Sequence, residues 1–348
     1  MSLAVVILAA GQGTRMKSKT QKILHEVGGK PMVQHVFEEA VSIADLLPVL
    51  VIGPGETGVS ALFAEHARYV VQPEQLGTGH AAKMAKPILQ GQVDQVLVTY
   101  GDMPLLRAST MSHLAYEQRE NGAAIALLSV EGTPDSTFGR VIRDENGRVV
   151  EIVEVSEARQ RPNTEEILAI TELNAGIYCF DGGWLWQHIE ELPVRQARNG
   201  LEYYLTDMVE LAVSQGRDVV ALSIEDLDEC LGAGTRSELV QVEKAFRRRA
   251  NQYWLERGVT LIDPQTVYID QDVIIGKDTV IWPNTYLQGQ TVIGEDCILG
   301  PNTIIRQAQL GTHCVVEQAQ VENATLPAGT HLPPFTWINN DNWQVPGR

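Results

Sequence analysis

Residues 268–305 read YIDQDVIIGKDTVIWPNTYLQGQTVIGEDCILGPNTII, and the spacing of their aliphatic side chains decides the architecture of the C-terminal third. Ile269, Ile275, Ile281, Leu287, Ile293, Leu299 and Ile305 recur every six residues. Each is preceded by a second apolar residue: Tyr268, Ile274, Val280, Tyr286, Val292, Ile298 and Ile304. Helices repeat at 3.6 residues and strands at two, so neither returns a doublet every sixth position. With Gly, Asn and Asp between the doublets, the period fits a β-solenoid in which each hexad builds one side of a triangular coil. At three hexads per coil the segment predicts about two to four coils. The register slips in QLGTHCVVEQAQVENATLPAG (309–329), which reads as insertions or terminal coils. An ordinary β domain with accidental spacing would have to place seven positions in register.

Upstream, TRSELVQVEKAFRRRANQYWLERG (235–258) carries Leu239, Val240, Val242, Phe246 and Tyr253 among charges and reads as a connector helix. Before it, strand and helix patterns alternate. AVVILAA (4–10), LPVLVIG (47–53), QVLVTYGD (95–102) and AAIALLSV (123–130) read as buried strands. PMVQHVFEEAVSI (31–43) and TGHAAKMAKPIL (78–89) read as helices. Such alternation predicts a doubly wound, Rossmann-like α/β domain, whose ligands sit at the carboxyl ends of its strands. The expected division is a nucleotide-handling domain at 1–234, a connector at 235–258, a β-helix at 259–335 and a tail at 336–348.

Composition narrows the function. The chain has 348 residues, is 44% hydrophobic and carries a formal charge of -17. So acidic a protein lacks the broad basic surface that nucleic acid or anionic lipid requires. Cys179, Cys230, Cys297 and Cys314 form no CxxC pair and read as small buried residues of a reducing compartment. The first apolar run is too short to span a bilayer and has no basic flank, so a cytoplasmic protein is expected.

Against this acidic background, LAAGQGTRMKSKTQK (8–22) gathers four cations around a glycine turn at the end of the first strand. It is neither a Walker loop nor a complete GxGxxG, since Met16 stands at the third glycine position. Gly11 and Gly13 permit close backbone approach, so that amide N–H groups can face phosphate oxygens. Arg15 offers a planar fork and Lys22 a point charge. A solvated basic turn is the other reading of the same residues.

Taken in order, the cation loop with QKILHEVGGKPMVQHV, QPEQLGTGHA (72–81), TYGDMPLL (99–106), FGRVIRDENGRVVEIVE (138–154), ELNAGIY (172–178) and EYYLTD (202–207) resembles the sugar-1-phosphate nucleotidylyltransferases. Within that family it is similar to the bacterial N-acetylglucosamine-1-phosphate uridylyltransferases, whose nucleotidyl-transferring half is also followed by a left-handed hexapeptide β-helix. The resemblance implies UTP and a sugar-1-phosphate as substrates, Mg²⁺ as cofactor, a role in UDP-N-acetylglucosamine biosynthesis, and a homotrimer formed through the β-helix. It places Leu8, Ala10, Gly11 and Gly13 at the nucleotide, and Gln72, Gln75, Gly77 and Thr78 at its base. Arg15 and Lys22 would hold phosphates and Asp102 would ligate Mg²⁺. Gly139, Glu154, Asn174, and Tyr203 or Thr206 would surround the sugar.

Two departures qualify what the resemblance implies. The family places a second metal ligand, Asn or Asp, just before the connector, where CLGAGTRSEL (230–239) offers Gly232, Ala233 and Gly234. Weakened or altered Mg²⁺ binding is therefore expected, with Asp226, Asp228 or Glu229 as substitutes. The family's longer solenoid carries an acetyltransferase site whose motifs have no counterpart here, so no acetyl-CoA chemistry is expected. Glucose-1-phosphate as acceptor, dTTP as donor, and a catalytically weak nucleotide-sugar binding protein are the alternative readings.

Overall fold

The computed structural model describes residues 1–197 and 200–340. The chain forms two compact units. The first contains Met1–His25 and Met32–Glu238, and the second contains Glu26–Pro31 and the chain from Leu239 onward.

The first unit is built on one mixed sheet. Across it, the strands run Val219–Ile224, Ile125–Glu131, Glu172–Asp181, Gln95–Tyr100, Leu3–Leu8, Val49–Ile52 and Arg68–Val71. Leu3–Leu8 is parallel to both neighbours, with Leu8 opposite Val51 and Tyr100. Glu172–Asp181 runs antiparallel to both of its neighbours, so the sheet departs from an all-parallel winding at this strand. A hairpin, Gly139–Arg143 with Val149–Val153, pairs onto the Leu173–Asn174 end of the same strand.

The continuous apolar strands follow from burial on both faces. Ala4 and Val6 join one core cluster, while Leu3, Val5 and Ile7 join the other. Complete burial of each Val or Ile stabilises the sheet by about 1.5–3 kcal/mol before entropy is charged. Helix Met32–Ile43 turns Met32, Val33, Val36, Phe37 and Ala40 inward. The helical pattern at 78–89 divides into Thr78–Lys83 and Lys86–Leu89. Pro87 has no N–H to continue a helical ladder, but at the second position of a new helix it leaves no donor missing.

In the second unit, parallel strands stack into three sheets, two of five strands and one of four. This exceeds the expected two to four coils. The inward ladder continues through Leu310, Val316, Val321, Leu326, Leu332 and Ile338, all buried. Several of its steps shorten from six residues to five, and each short side turns through a left-handed residue, Gln307, Gln318 or Asn323. The contracted sides hide the repeat from a strict six-residue register. The last strand, Trp337–Asn339, pairs with Gln320–Glu322, while residues 341–348 of the expected tail lie outside the described residues. Thr279, Thr285, Thr291 and Thr303 are fully buried, and each hydroxyl donates to a backbone carbonyl.

The helix Arg236–Leu255 buries Val242, Ala245, Phe246 and Asn251. Within the second unit, hairpin residue Gly28 donates its N–H to Glu243 Oε2 at 3.0 Å. Lys30 pairs with Asp272 at 2.8 Å.

Candidate active site

The carboxyl ends of Leu3–Leu8 and Gln95–Tyr100 open into a cavity of about 660 Å³. Parallel pairing of these strands brings the glycine turn after Leu8 beside the turn holding Asp102. Lys22 Nζ lies 2.5 Å from Asp102 Oδ2, so a cation and a carboxylate 80 positions apart meet on the cavity floor. Gly13 makes this approach possible. It has a left-handed backbone, and a Cβ there would lie 2.4 Å from Lys22 Cβ. Gly13 itself is not among the residues lining the cavity.

Arg15 also lines the cavity and makes no ion pair among the described residues. A Cβ at Gly234 would lie 2.5 Å from its Nη2 atom. Glycine at 234 thus leaves room for the guanidinium. Glu238 Oε2 accepts the Gly234 N–H at 2.7 Å, and Glu238 lines the same wall. Of the acids expected to substitute for a second metal ligand, Asp226 and Glu229 pair with Arg107 instead. None of Asp226, Asp228 and Glu229 lines the cavity. The acid that this segment delivers is Glu238, four residues past the glycine and on the first turn of the helix.

Gln75 Nε2 donates to Ala10 O at 2.5 Å, tying the 72–78 loop to the glycine turn. Gln72 is almost fully buried, and its Nε2 donates to Gly77 O. Thr78 Oγ1 accepts the Leu205 N–H at 3.0 Å. Gly77 has φ +92°, and a Cβ there would lie 2.6 Å from Tyr203 O, so no other residue fits. Tyr203 contributes its backbone here, donating to Leu76 O and accepting from Gly79 N. Its ring packs against the core, and the neighbouring Tyr204 is the tyrosine that lines the cavity.

The opposite wall carries Gly139, Glu154, Asn174 and Thr206. Strand Glu172–Asp181 shifts register between Asn174 and Tyr178. Gly176 turns there with φ +81°, against the Tyr100 ring. Asn174 Nδ2 donates to the Tyr178 hydroxyl at 2.7 Å, and its Oδ1 accepts the Gly176 N–H. Glu154 is largely buried. Desolvation raises its pKa above the usual carboxylate range, and the nearby Glu157 and Asp207 carboxylates push the same way. Arg195 engages Asp207 and reaches Glu157 at 3.2 Å, holding charge behind the wall. Burial likewise raises the Tyr100 pKa, keeping that hydroxyl a neutral donor.

Of the residues expected at the site, all except Gly13 and Tyr203 line this one cavity. Sequence reasoning missed Tyr204, Glu202, Phe138 and Glu238 in the lining. It also missed Arg140, fully buried, which donates to Phe138 O, Pro134 O and Ser136 O and braces the loop carrying Phe138.

Residues 5–197 match the MobA-like NTP transferase domain, and residues 272–307 match the bacterial transferase hexapeptide (six repeats). The chain is 40% identical to the "Bifunctional protein GlmU" of Exiguobacterium sibiricum, over 97% of this chain and 74% of that protein. It is also 40% identical to the protein of that name from Bacillus subtilis, over 97% of this chain and 72% of the relative. Among solved structures, a putative glucose-1-phosphate thymidylyltransferase from Bacillus anthracis superposes with a TM-score of 0.52 at 20% identity. That superposition covers 70% of this chain and 94% of the other, and it shows a shared fold.

Proposed function

The chain belongs to the GlmU family, joining an NTP-transferase domain to hexapeptide repeats, and from that premise we propose that its cavity transfers the uridylyl group of UTP to N-acetylglucosamine-1-phosphate. The observation that carries this reading is the meeting in one cavity of Lys22 and Asp102 at 2.5 Å with the amides of Gln72 and Gln75. One part holds phosphates and the other reads a base edge.

The reaction is an in-line displacement. A phosphate oxygen of the sugar-1-phosphate forms a bond to the α-phosphorus of UTP, and the bond from that phosphorus to the β-phosphate bridge oxygen breaks. Pyrophosphate leaves with the electron pair. The attacking phosphate is already anionic near neutral pH, so the protein needs no side-chain nucleophile to start the step. Its work is positioning and charge neutralisation. Arg15 and Lys22 hold the triphosphate oxygens as charge shifts to pyrophosphate. The backbone beside Gly11 approaches the phosphates closely, and Glu154 with Asn174 orients sugar hydroxyls.

Asp102 supplies a hard oxygen donor, and Gly232 lines the cavity beside it. A Cβ there would lie 3.6 Å from Asp102 O and 3.8 Å from its Cγ. This donor set suits Mg²⁺, which binds through one or two carboxylates and takes its other ligands from water and phosphate. Asp102 would hold the ion, and bound Mg²⁺ supplies Lewis-acid neutralisation of the phosphates. No helix among the described residues is long and apolar enough to cross a membrane; a cytoplasmic site of action belongs to the proposal. So does a homotrimer through the β-helix, supported by Ile274 and Val292, paired outward on one sheet and 58% and 38% exposed.

A pyrophosphate-release assay with UTP, dTTP and CTP against N-acetylglucosamine-1-phosphate and glucose-1-phosphate tests the function. UTP with the N-acetylated sugar is expected to turn over fastest, and Asp102→Ala to lose about a hundredfold or more. Retained nucleotide binding with no pyrophosphate from any pair would leave a binding protein instead.

A further inference from the structure

Gln72 is 3% exposed, and its amide has two partners. Nε2 lies 3.1 Å from Gly77 O and 3.2 Å from His80 Nδ1. A carbonyl oxygen only accepts, so the atom facing Gly77 O must be the amide nitrogen, and the amide has one possible orientation. Its second hydrogen then points at His80 Nδ1, which must offer a lone pair. His80 therefore carries its proton on Nε2. Both hydrogens of Gln72 are used inside the protein. Only the carbonyl Oε1, which makes no hydrogen bond among the described residues, is left for a ligand in the cavity that Gln72 lines.

We propose that His80 is a positioning residue for base selection, holding Gln72 as an acceptor toward the pyrimidine edge. An acceptor matches the N3–H of uracil or thymine. It opposes cytosine, whose N3 presents a lone pair. His80 itself does not line the cavity; it acts through Gln72 from helix Thr78–Lys83, where its ring stands 6.3 Å from that of Tyr203. Gly77 completes the lock, because its φ of +92° aims its carbonyl at Nε2 and excludes any side chain at that position. The inference rests on the proposed placement of the base at Gln72. It adds that discrimination is set by a residue behind that contact. Sites built around a fixed hydrogen-bonding pattern reject a mismatched partner because their own buried polar groups are left unpaired.

The test measures kcat/KM for UTP and CTP with the full chain and with His80→Leu, His80→Gln and Gln72→Ala. His80→Leu frees the amide to rotate and is expected to lower the UTP/CTP ratio about tenfold, mainly through KM for UTP. His80→Gln, whose side-chain oxygen can accept the same hydrogen, is expected to keep the ratio within about threefold of the native chain. An unchanged ratio in folded His80→Leu overturns the proposal. If Gln72→Ala also leaves the ratio unchanged, the placement of the base fails with it; if Gln72→Ala alone collapses the ratio, only the role of His80 fails. Should His80→Leu not fold, nitrogen NMR of the native chain decides. A proton on Nε2 of His80 supports the lock, and a proton on Nδ1 overturns it.

Discussion

Glu154 sits at the cavity wall with Glu157 and Asp207 as its charged neighbours, and burial raises its pKa. A carboxyl whose folded pKa exceeds its unfolded value binds more protons in the native state. Stability therefore falls as pH rises from the ordinary carboxylate value, about 4.3, through the raised one. Glu154→Gln removes that penalty. The variant should melt at a higher temperature than the native chain at pH 7, with the gain shrinking as pH falls toward about 4. An equal gain at both pH values would show that charge is not its cause. Gly232 makes the opposite kind of prediction, a function gained by adding a group. A Cβ at Gly232 would make only ordinary van der Waals contact with Asp102 and Met103, so Gly232→Asp can set a second carboxylate beside Asp102. The Mg²⁺ concentration for half-maximal turnover should fall below that of the native chain, and an unchanged titration would contradict the assignment.

At the scale of elements, the hairpin Glu26–Pro31 belongs with the second unit although it follows the cation loop directly in sequence. Gly28 has φ +55°, and a Cβ there would lie 2.1 Å from the Phe246 ring. Gly28→Ala therefore combines backbone strain with overpacking. It should cost about 1–3 kcal/mol in thermal unfolding, whereas Gly91→Ala, with positive φ but no neighbour in reach, should cost less. The same elements show what the sequence could reveal. The hexads were legible because inward Ile and Leu repeat without side-chain ambiguity. The contracted coils were not, because their sides turn through left-handed residues, Gln307, Gln318 and Asn323, just as the full six-residue sides do at Asn284 and Asn302, so the turn residues do not mark where a position is lost. The glycine turn, Gln72, Gln75 and Asp102 were legible from their ordered motifs. Glu238 was not, since a glutamate on the first turn of a helix reads as an ordinary favourable charge there. Tyr203 and Tyr204 are adjacent and identical; the backbone bonds of Tyr203 to Leu76 and Gly79 fix which ring faces the cavity, and nothing in the sequence marks them.

On the scale of the whole molecule, each unit has its own core, and the ladder of the second unit is closed by stacking rather than by a surrounding shell. Stacked coils depend on neighbours, so their outward apolar columns invite a second copy. If the exposed pair on one sheet mediates assembly, Ile274→Glu should convert a trimer to monomers in light scattering, without loss of β-sheet signal. An unchanged mass would exclude that face. The central claim concerns the reaction itself, and isotope transfer tests it most directly. N-acetylglucosamine-1-phosphate carrying ¹⁸O in its three non-bridging phosphate oxygens is incubated with the chain, UTP and Mg²⁺, and the products are weighed by mass spectrometry. Attack on the α-phosphorus predicts that all three labels appear in the UDP-sugar, one of them in the new bridge, and that pyrophosphate is unlabelled. Label in pyrophosphate, or no nucleotide sugar at all, would contradict the account.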